Sequence, residues 1–240
     1  MIISHSRRFT FVHIHKAGGT SMEQALDRSL AWNDLILGGS TFGERIQEPY
    51  AAKFGLAKHS TVAEIETLCG SEYVDQYYLF AIVRHPVSRL CSLYNFVAST
   101  LSKWAANRGV PLEAVAAHIT PQDTRKKPGL KWASSRAFMA TGDFSGFIRH
   151  EALGSAPGFR PQIDSLVSPV TETRKGTFLR LEELENWLPS LGAELGIELQ
   201  LPHANQSQVK LIDAASVNSE DKRYIESLFS ADFEAFGYEK

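Results

Sequence analysis

Apolar residues along this chain gather in short runs, separated by stretches in which they recur at helical spacing. The first run, Phe9 to Ile14, is rich in β-branched and aromatic residues and stops at HKAGG, which predicts a buried strand ending in a glycine turn. In the following TSMEQALDRSLAW, Met22, Ala25, Leu26 and Leu30 recur at helical intervals. Thr20 and Glu23 stand there at capping-box spacing, so a helix is predicted to begin at Thr20 or Ser21.

Residues 33–50, with GGSTFGERIQEPY, read as a loop, and KFGLAK, Lys53 to Lys58, as a second short strand ending at His59 and Ser60. Thr61 to Cys69 reads as a helix. The most apolar short run, YYLFAIV from Tyr77 to Val83, reads as a central strand. Pro86 opens a new helix where its missing N–H costs least, and Val87, Leu90, Leu93, Tyr94 and Val97 form that helix's apolar stripe. Residues 105–150 read as helices broken at Gly109, Pro111, Pro121 and Pro128, and residues 153–162 as a loop. GTFLRL, Gly176 to Leu181, reads as a strand and Glu183 to Leu195 as a helix. HANQS, His203 to Ser207, reads as a polar turn, and one or two helices close the chain over 219–236. Strands alternating with helices predict an α/β fold whose mostly parallel sheet is covered on both faces. With no repeat, low-complexity tract or linker, one domain over residues 1–240 is expected.

Charge and composition narrow the chemistry. Lys and Arg number 25 against 27 Asp and Glu, a net charge of −2, so the chain has no global electrostatic claim on nucleic acid and any anion site must be local. A chain 43% hydrophobic and 22% charged is neither disordered nor membranous. No long apolar run follows the two arginines of MIISHSRRFTFVHI, so neither a signal peptide nor a membrane anchor is expected, and a cytoplasmic location follows by default. Cys69 and Cys91 make no disulfide framework, and without CxxC no structural zinc is expected; both read as small apolar residues.

Two segments carry chemistry. In VHIHKAGGTS, Val12 to Ser21, a strand ends, the chain turns through Gly18 and Gly19, and a helix begins. Free N–H groups at a helix start point at whatever fills such a turn, and the helix dipole favours an anion there. Lys16 adds a positive charge, and Thr20 and Ser21 add hydroxyls. The order is not that of the nucleoside-triphosphatase GxxxxGK[ST] loop, because the lysine precedes the glycines. In AIVRHPVSRLCSLYNF, Arg84 leaves the apolar strand, where a buried guanidinium needs a partner and its fork suits a phosphate. Ser92 falls eight residues later, about two helical turns on. Arg89 is left open between a ligand role and a surface or salt-bridge role.

HIHKAGGTS from His13 and RHPVSRLCSLY from Arg84 together resemble the PAPS-dependent sulfotransferases, most of all the branch of heparan-sulfate 2-O-sulfotransferases and their bacterial relatives. Those proteins carry a HIPKTGGTS-like loop that holds the 5′-phosphosulfate of 3′-phosphoadenosine 5′-phosphosulfate (PAPS), and later an RxPxxRxxSxY element that holds its 3′-phosphate. The two occur here in that order, with 68 residues from Lys16 to Arg84. RPQIDSL at Arg160, FLRLEEL at Phe178, LPHANQS at Leu201 and DFEAFGY at Asp232 resemble later blocks. His15 stands where the family usually has Pro, and is left open between a donor and a structural role.

The resemblance implies a P-loop-like three-layer fold and sulfuryl transfer from PAPS to a hydroxyl of a carbohydrate-like acceptor, releasing PAP. It implies Lys16 at the bridging oxygen and sulfonate. Ala17, Gly18, Gly19, Thr20 and Ser21 would lie around the 5′-phosphate, and Arg84 and Ser92 on the 3′-phosphate. It further implies a base between the two motifs, for which His59 in GLAKHST is the candidate, titrating near neutrality. His13 reads as a core histidine. Glu182 either matches a family position or orients a neighbouring arginine. No metal ligand set is expected. Arg125, Lys126, Lys127, Lys131 and Arg136 could line a groove for an anionic glycan or form a solvated face, and Trp104 and Trp132 could stack on sugars or pack in the core. The rival readings are a P-loop-type ATP-dependent kinase and a noncatalytic PAP-binding protein.

Overall fold

A computed structural model of the chain describes residues 1–202 and 209–239, so the HANQS turn and most of the LPHANQS block lie outside the described residues. In chain order the strands and α-helices are β1 (Ile2–Ser4), β2 (Phe9–Val12), α1 (Gly19–Asp27), β3 (Leu35–Ile36), α2 (Thr41–Phe54), α3 (Val62–Cys69), α4 (Ser71–Gln76), β4 (Tyr78–Val83), α5 (Pro86–Ala106), α6 (Val115–His118), α7 (Pro121–Lys126), α8 (Ala133–Thr141), α9 (Phe144–Arg149), β5 (Thr177–Arg180), α10 (Leu184–Leu195), α11 (Ser219–Leu228) and α12 (Ser230–Phe236). They divide into two compact units: Met1–His85 with Pro161–Asn205 and Ala231–Lys240, and Pro86–Arg160 with Gln206–Ser230.

The first unit holds a five-stranded sheet in the order β3-β1-β2-β4-β5. β2, β4 and β5 run parallel, with Val12 opposite Ala81 and Ala81 opposite Phe178, while β1 is antiparallel to both β2 and β3. Side chains alternate across a strand, so Phe9 and Phe11 of β2 share a face with Phe80 and Ile82 of β4. That face is buried together with Met22 and Leu26 of α1 and Leu191 and Leu195 of α10. On the opposite face α4 brings Tyr73 to Thr10, and the Phe236 ring of α12 lies 5.2 Å from that of Phe178. The expected α/β sheet with helices on both faces is therefore present.

Some local expectations fail. The stretch read as a loop becomes α2, started by the Ser40 hydroxyl accepting from Gly43 N–H at 3.1 Å and stopped at Gly55, φ 71°. Pro49 inside it and a sparse apolar pattern conceal this helix, and KFGLAK is its last turn and exit rather than a strand. At the start, IIS pairs as β1 with both β2 and β3; three residues carry too little pattern to be read as a strand. Elsewhere local chemistry holds: Thr61 and Glu64 form a reciprocal capping box at the start of α3. Cys91 is buried as expected, but Cys69 is exposed.

In the second unit the predicted stripe of α5, Val87, Leu90, Leu93, Tyr94 and Val97, is buried throughout. The Tyr94 ring packs 4.9 Å from Phe138 and 5.1 Å from Phe147. Asn95 secures the segment before α11, accepting from Leu211 N–H at 2.8 Å and donating to the Ile212 carbonyl at 2.7 Å.

Candidate active site at the ends of the parallel strands

Because β2, β4 and β5 are parallel neighbours, their C-terminal ends open on one edge of the sheet, where ligands of open α/β sheets bind. β2 leads into His13–Gly19, β4 into Arg84, and β5 into Leu181 and Glu182. The Leu181 side chain sits against the turn, with Cδ1 3.0 Å from where a Cβ on Gly18 would stand.

The turn takes left-handed backbone at Lys16, φ 64°, and at Gly18, φ 88°. α1 then starts at Gly19 without a side-chain cap. The Ser21 N–H returns to the Gly18 carbonyl at 3.1 Å and the Ala17 N–H to Ile14 at 3.5 Å, so these two amides point inward. Gly19 and Thr20, in the first turn, have no intrahelical acceptor and can meet an anion. The predicted capping box fails because Glu23 is buried and turned elsewhere: Oε1 lies 2.8 Å from His13 Nδ1 and accepts from the Met1 nitrogen at 2.5 Å. Nor is Gly19 needed only for close approach of a ligand. A Cβ there would stand 2.2 Å from His13 Cδ2, so the imidazole of His13 already fills that space.

Three histidines meet behind the turn. His59 Nδ1 lies 2.8 Å from the His13 carbonyl oxygen. A carbonyl only accepts, so Nδ1 carries the proton, and in the neutral ring Nε2 is left with its lone pair. The His15 ring stacks on His59 with centroids 3.5 Å apart and planes at 24°, and His13 meets it edge-on at 4.5 Å. Burial, then the crowding of His13 and His15, which opposes a further positive charge, holds His59 well below the ordinary imidazole range. His13 is itself held low, chiefly by burial, as expected of a core histidine.

Lys16 and Arg84 come together at this edge. Arg84 Nη1 donates to the Lys16 carbonyl at 3.5 Å. Burial, then the charges of Arg84 and Lys58, lowers the Lys16 ammonium to about 8. Two cations drawn together on partly buried ground, beside a helix start, are an arrangement that can attract an anion.

Sequence reasoning missed the residues that hold Arg84. Gln162, 1% exposed, accepts from Arg84 N–H and donates to Arg84 C=O, each at 2.9 Å. Glu182 accepts from His85 N–H at 2.8 Å and from the Tyr238 hydroxyl at 3.2 Å. Its carboxylate thus anchors the chain next to Arg84. The signal was present in the blocks RPQIDSL, FLRLEEL and DFEAFGY, but nothing local tells where they converge.

Ser92 lies half-buried in α5, in the second unit. Arg89 is not a surface residue: it is 1% exposed, donates to the Gly158 carbonyl at 3.0 Å and the Arg160 carbonyl at 2.7 Å, and lies over the Phe229 ring. Trp104 is core, with Arg108 stacked on it. Trp132 is 46% exposed beside Phe96, and Arg125, Lys126, Lys127, Lys131 and Arg136 are all exposed.

Among the described residues no helix is long and apolar enough to cross a membrane, and no group of three or more His, Cys, Asp or Glu side chains is placed to hold a metal ion. No curated protein and no solved structure matches the chain. The profile of the sulfotransferase family matches residues 1–157, about two thirds of the sequence, starting before the glycine turn and running beyond the RHPVSRLCSLY segment. The chain belongs to the sulfotransferase family.

Proposed function

We propose that this protein transfers the sulfuryl group of PAPS to a hydroxyl of a carbohydrate-like acceptor, and that both units form one P-loop-like sulfotransferase domain related to the heparan-sulfate 2-O-sulfotransferase branch. The observation that carries the reading is the meeting of Lys16 and Arg84, which are 68 residues apart in sequence yet joined by the bond from Arg84 Nη1 to the Lys16 carbonyl. A donor with phosphates at both ends of its ribose suits a site where two cations and the first-turn amides of α1 converge.

PAPS supplies the sulfuryl group, and its nucleotide leaves as PAP. Gly19 and Thr20 N–H would hold the 5′-phosphate, with Ala17 and Gly18 shaping the turn and the hydroxyls of Thr20 and Ser21 adding donors. Arg84, joined by Ser92, would hold the 3′-phosphate and so reject ATP. Lys16 would stabilise charge growing on the oxygen that bridges phosphorus and sulfur. His59 Nε2 would take the acceptor hydroxyl's proton as the new O–S bond forms and the old S–O bond breaks. The exposed Trp132 and the basic residues around it are the proposed acceptor face, for a sugar with anionic substituents. Neither the kinase nor the noncatalytic alternative is favoured by the family match.

The test is isothermal titration with PAP, ADP and ATP in metal-free buffer. Selective PAP binding that is lost in Arg84→Ala is the expected result. Equal or tighter ATP binding would overturn the assignment.

A further inference from the structure

Gln162 and Asp232 stand apart from the residues assigned above, and both are fully buried. The two hydrogen bonds between the Gln162 amide and the Arg84 main chain reproduce those of a paired β residue, one residue beyond the end of β4. Asp232 fixes that amide in turn: Oδ2 accepts from Gln162 N–H at 2.9 Å and from its Nε2 at 3.2 Å, while Oδ1 accepts from Ile163 N–H at 3.0 Å. The donation from Nε2 to Asp232 settles which end of the amide carries nitrogen, so Oε1 must face Arg84 N–H.

We infer that Gln162 and Asp232 are positioning residues for the 3′-phosphate contact: they hold the Arg84 backbone so that its guanidinium stands at the strand edge beside Lys16. This rests on the proposed role of Arg84. An arginine with a free backbone could reach many points, and a fixed fork favours one phosphate geometry. The resemblance of the RPQIDSL and DFEAFGY blocks to the family then has a physical content, since one supplies the amide and the other the carboxylate that orients it.

The experiment compares PAP with adenosine 5′-monophosphate, which lacks the 3′-phosphate, on the full chain by isothermal titration. Gln162→Leu removes both bonds to Arg84. Gln162→Glu keeps the shape and an acceptor but loses the donor to the Arg84 carbonyl, and serves if the first variant does not fold. Wild-type protein should prefer PAP, and each variant should lose about tenfold in PAP affinity while binding the monophosphate as before. Asp232→Asn should show the same selective loss. Equal losses for both ligands, or no loss, would overturn the inference while leaving Arg84 assigned. A wild-type protein indifferent to the 3′-phosphate would instead overturn the assignment of Arg84, and the inference with it.

Discussion

His59 donates its Nδ1 proton to the main-chain carbonyl of His13 across 2.8 Å, which leaves Nε2 bare. The hydrogen bond selects the tautomer and ring stacking with His15 fixes the plane, so a side chain from the loop before α3 is held in one orientation, as the proposed base role needs. His59→Ala should abolish transfer and leave PAP affinity within about twofold, because general-base loss costs about 10²–10⁴ in rate and touches no phosphate. Single-turnover assays with labelled PAPS, run beside PAP titrations, check both halves.

If His59 is the base, as proposed, the same environment sets the acid limb of the reaction. Burial and the adjacent histidines hold His59 well below 6.5, so the ring stays neutral as pH falls through the ordinary imidazole range. Turnover should therefore persist below pH 6.5 and be lost only at lower pH. A limb centred at or above 6.5 would show that another group is the base.

The proposed role of Lys16 sets the alkaline side. Burial, then the charges of Arg84 and Lys58, push its ammonium down to about 8, and a bound phosphate favours its charged form. Binding above pH 8 must then take up a proton, so PAP affinity should weaken as pH rises through 8 and beyond. Lys16→Arg, charged throughout, should flatten that dependence in titrations from pH 7 to 10. Lys16→Ala should lower turnover by about 10² to 10³, as the loss of a donor to growing charge does elsewhere.

Gly19→Ala tests the packing of the turn. The added Cβ would stand 2.2 Å from His13 Cδ2, and His13 is buried against Glu23. Such overpacking costs about 1–3 kcal/mol, so the denaturant midpoint should fall by that equivalent. Gly55→Ala separates the two effects: it strains a positive φ, which Gly19 does not have, and nothing stands within 4 Å of its Cβ.

Arg89→Met tests the second unit. It would leave the Gly158 and Arg160 carbonyls without their guanidinium donor in a buried place, and stability should fall by about 1–3 kcal/mol. Equilibrium denaturation of the full chain measures it; an unchanged midpoint would mean that water replaces the guanidinium.

Short-range pattern made much of this molecule legible. Phe9 to Ile14 and Tyr77 to Val83 are continuous apolar runs because their strands are covered on both faces, and the stripe of α5 keeps the helical period because one side is buried. Lys16, Gly18, Gly19 and Arg84 were conspicuous because a strand that ends in a turn or in an arginine is a local event. α2 was not, since Pro49 and its polar surface speak against a helix that Ser40 and Gly55 nonetheless delimit. Glu23 was read as a cap because the spacing fits; its actual partners, His13 and Met1, are chosen by burial that no spacing reports.

The sequence by itself determined strands β2, β4 and β5, the helices that follow β2 and β4, and the glycine turn and arginine at two strand exits, because these depend on residues within one or two turns of each other. Only the tertiary structure decided that His59 points Nδ1 at His13, that Gln162 and Asp232 hold Arg84, and that Arg89 serves backbone carbonyls. Each of those is a hydrogen bond across tens of residues, made where β2, β4 and β5 run parallel or where buried groups must find partners, and the direction of such a bond is set by packing rather than by neighbours in the chain.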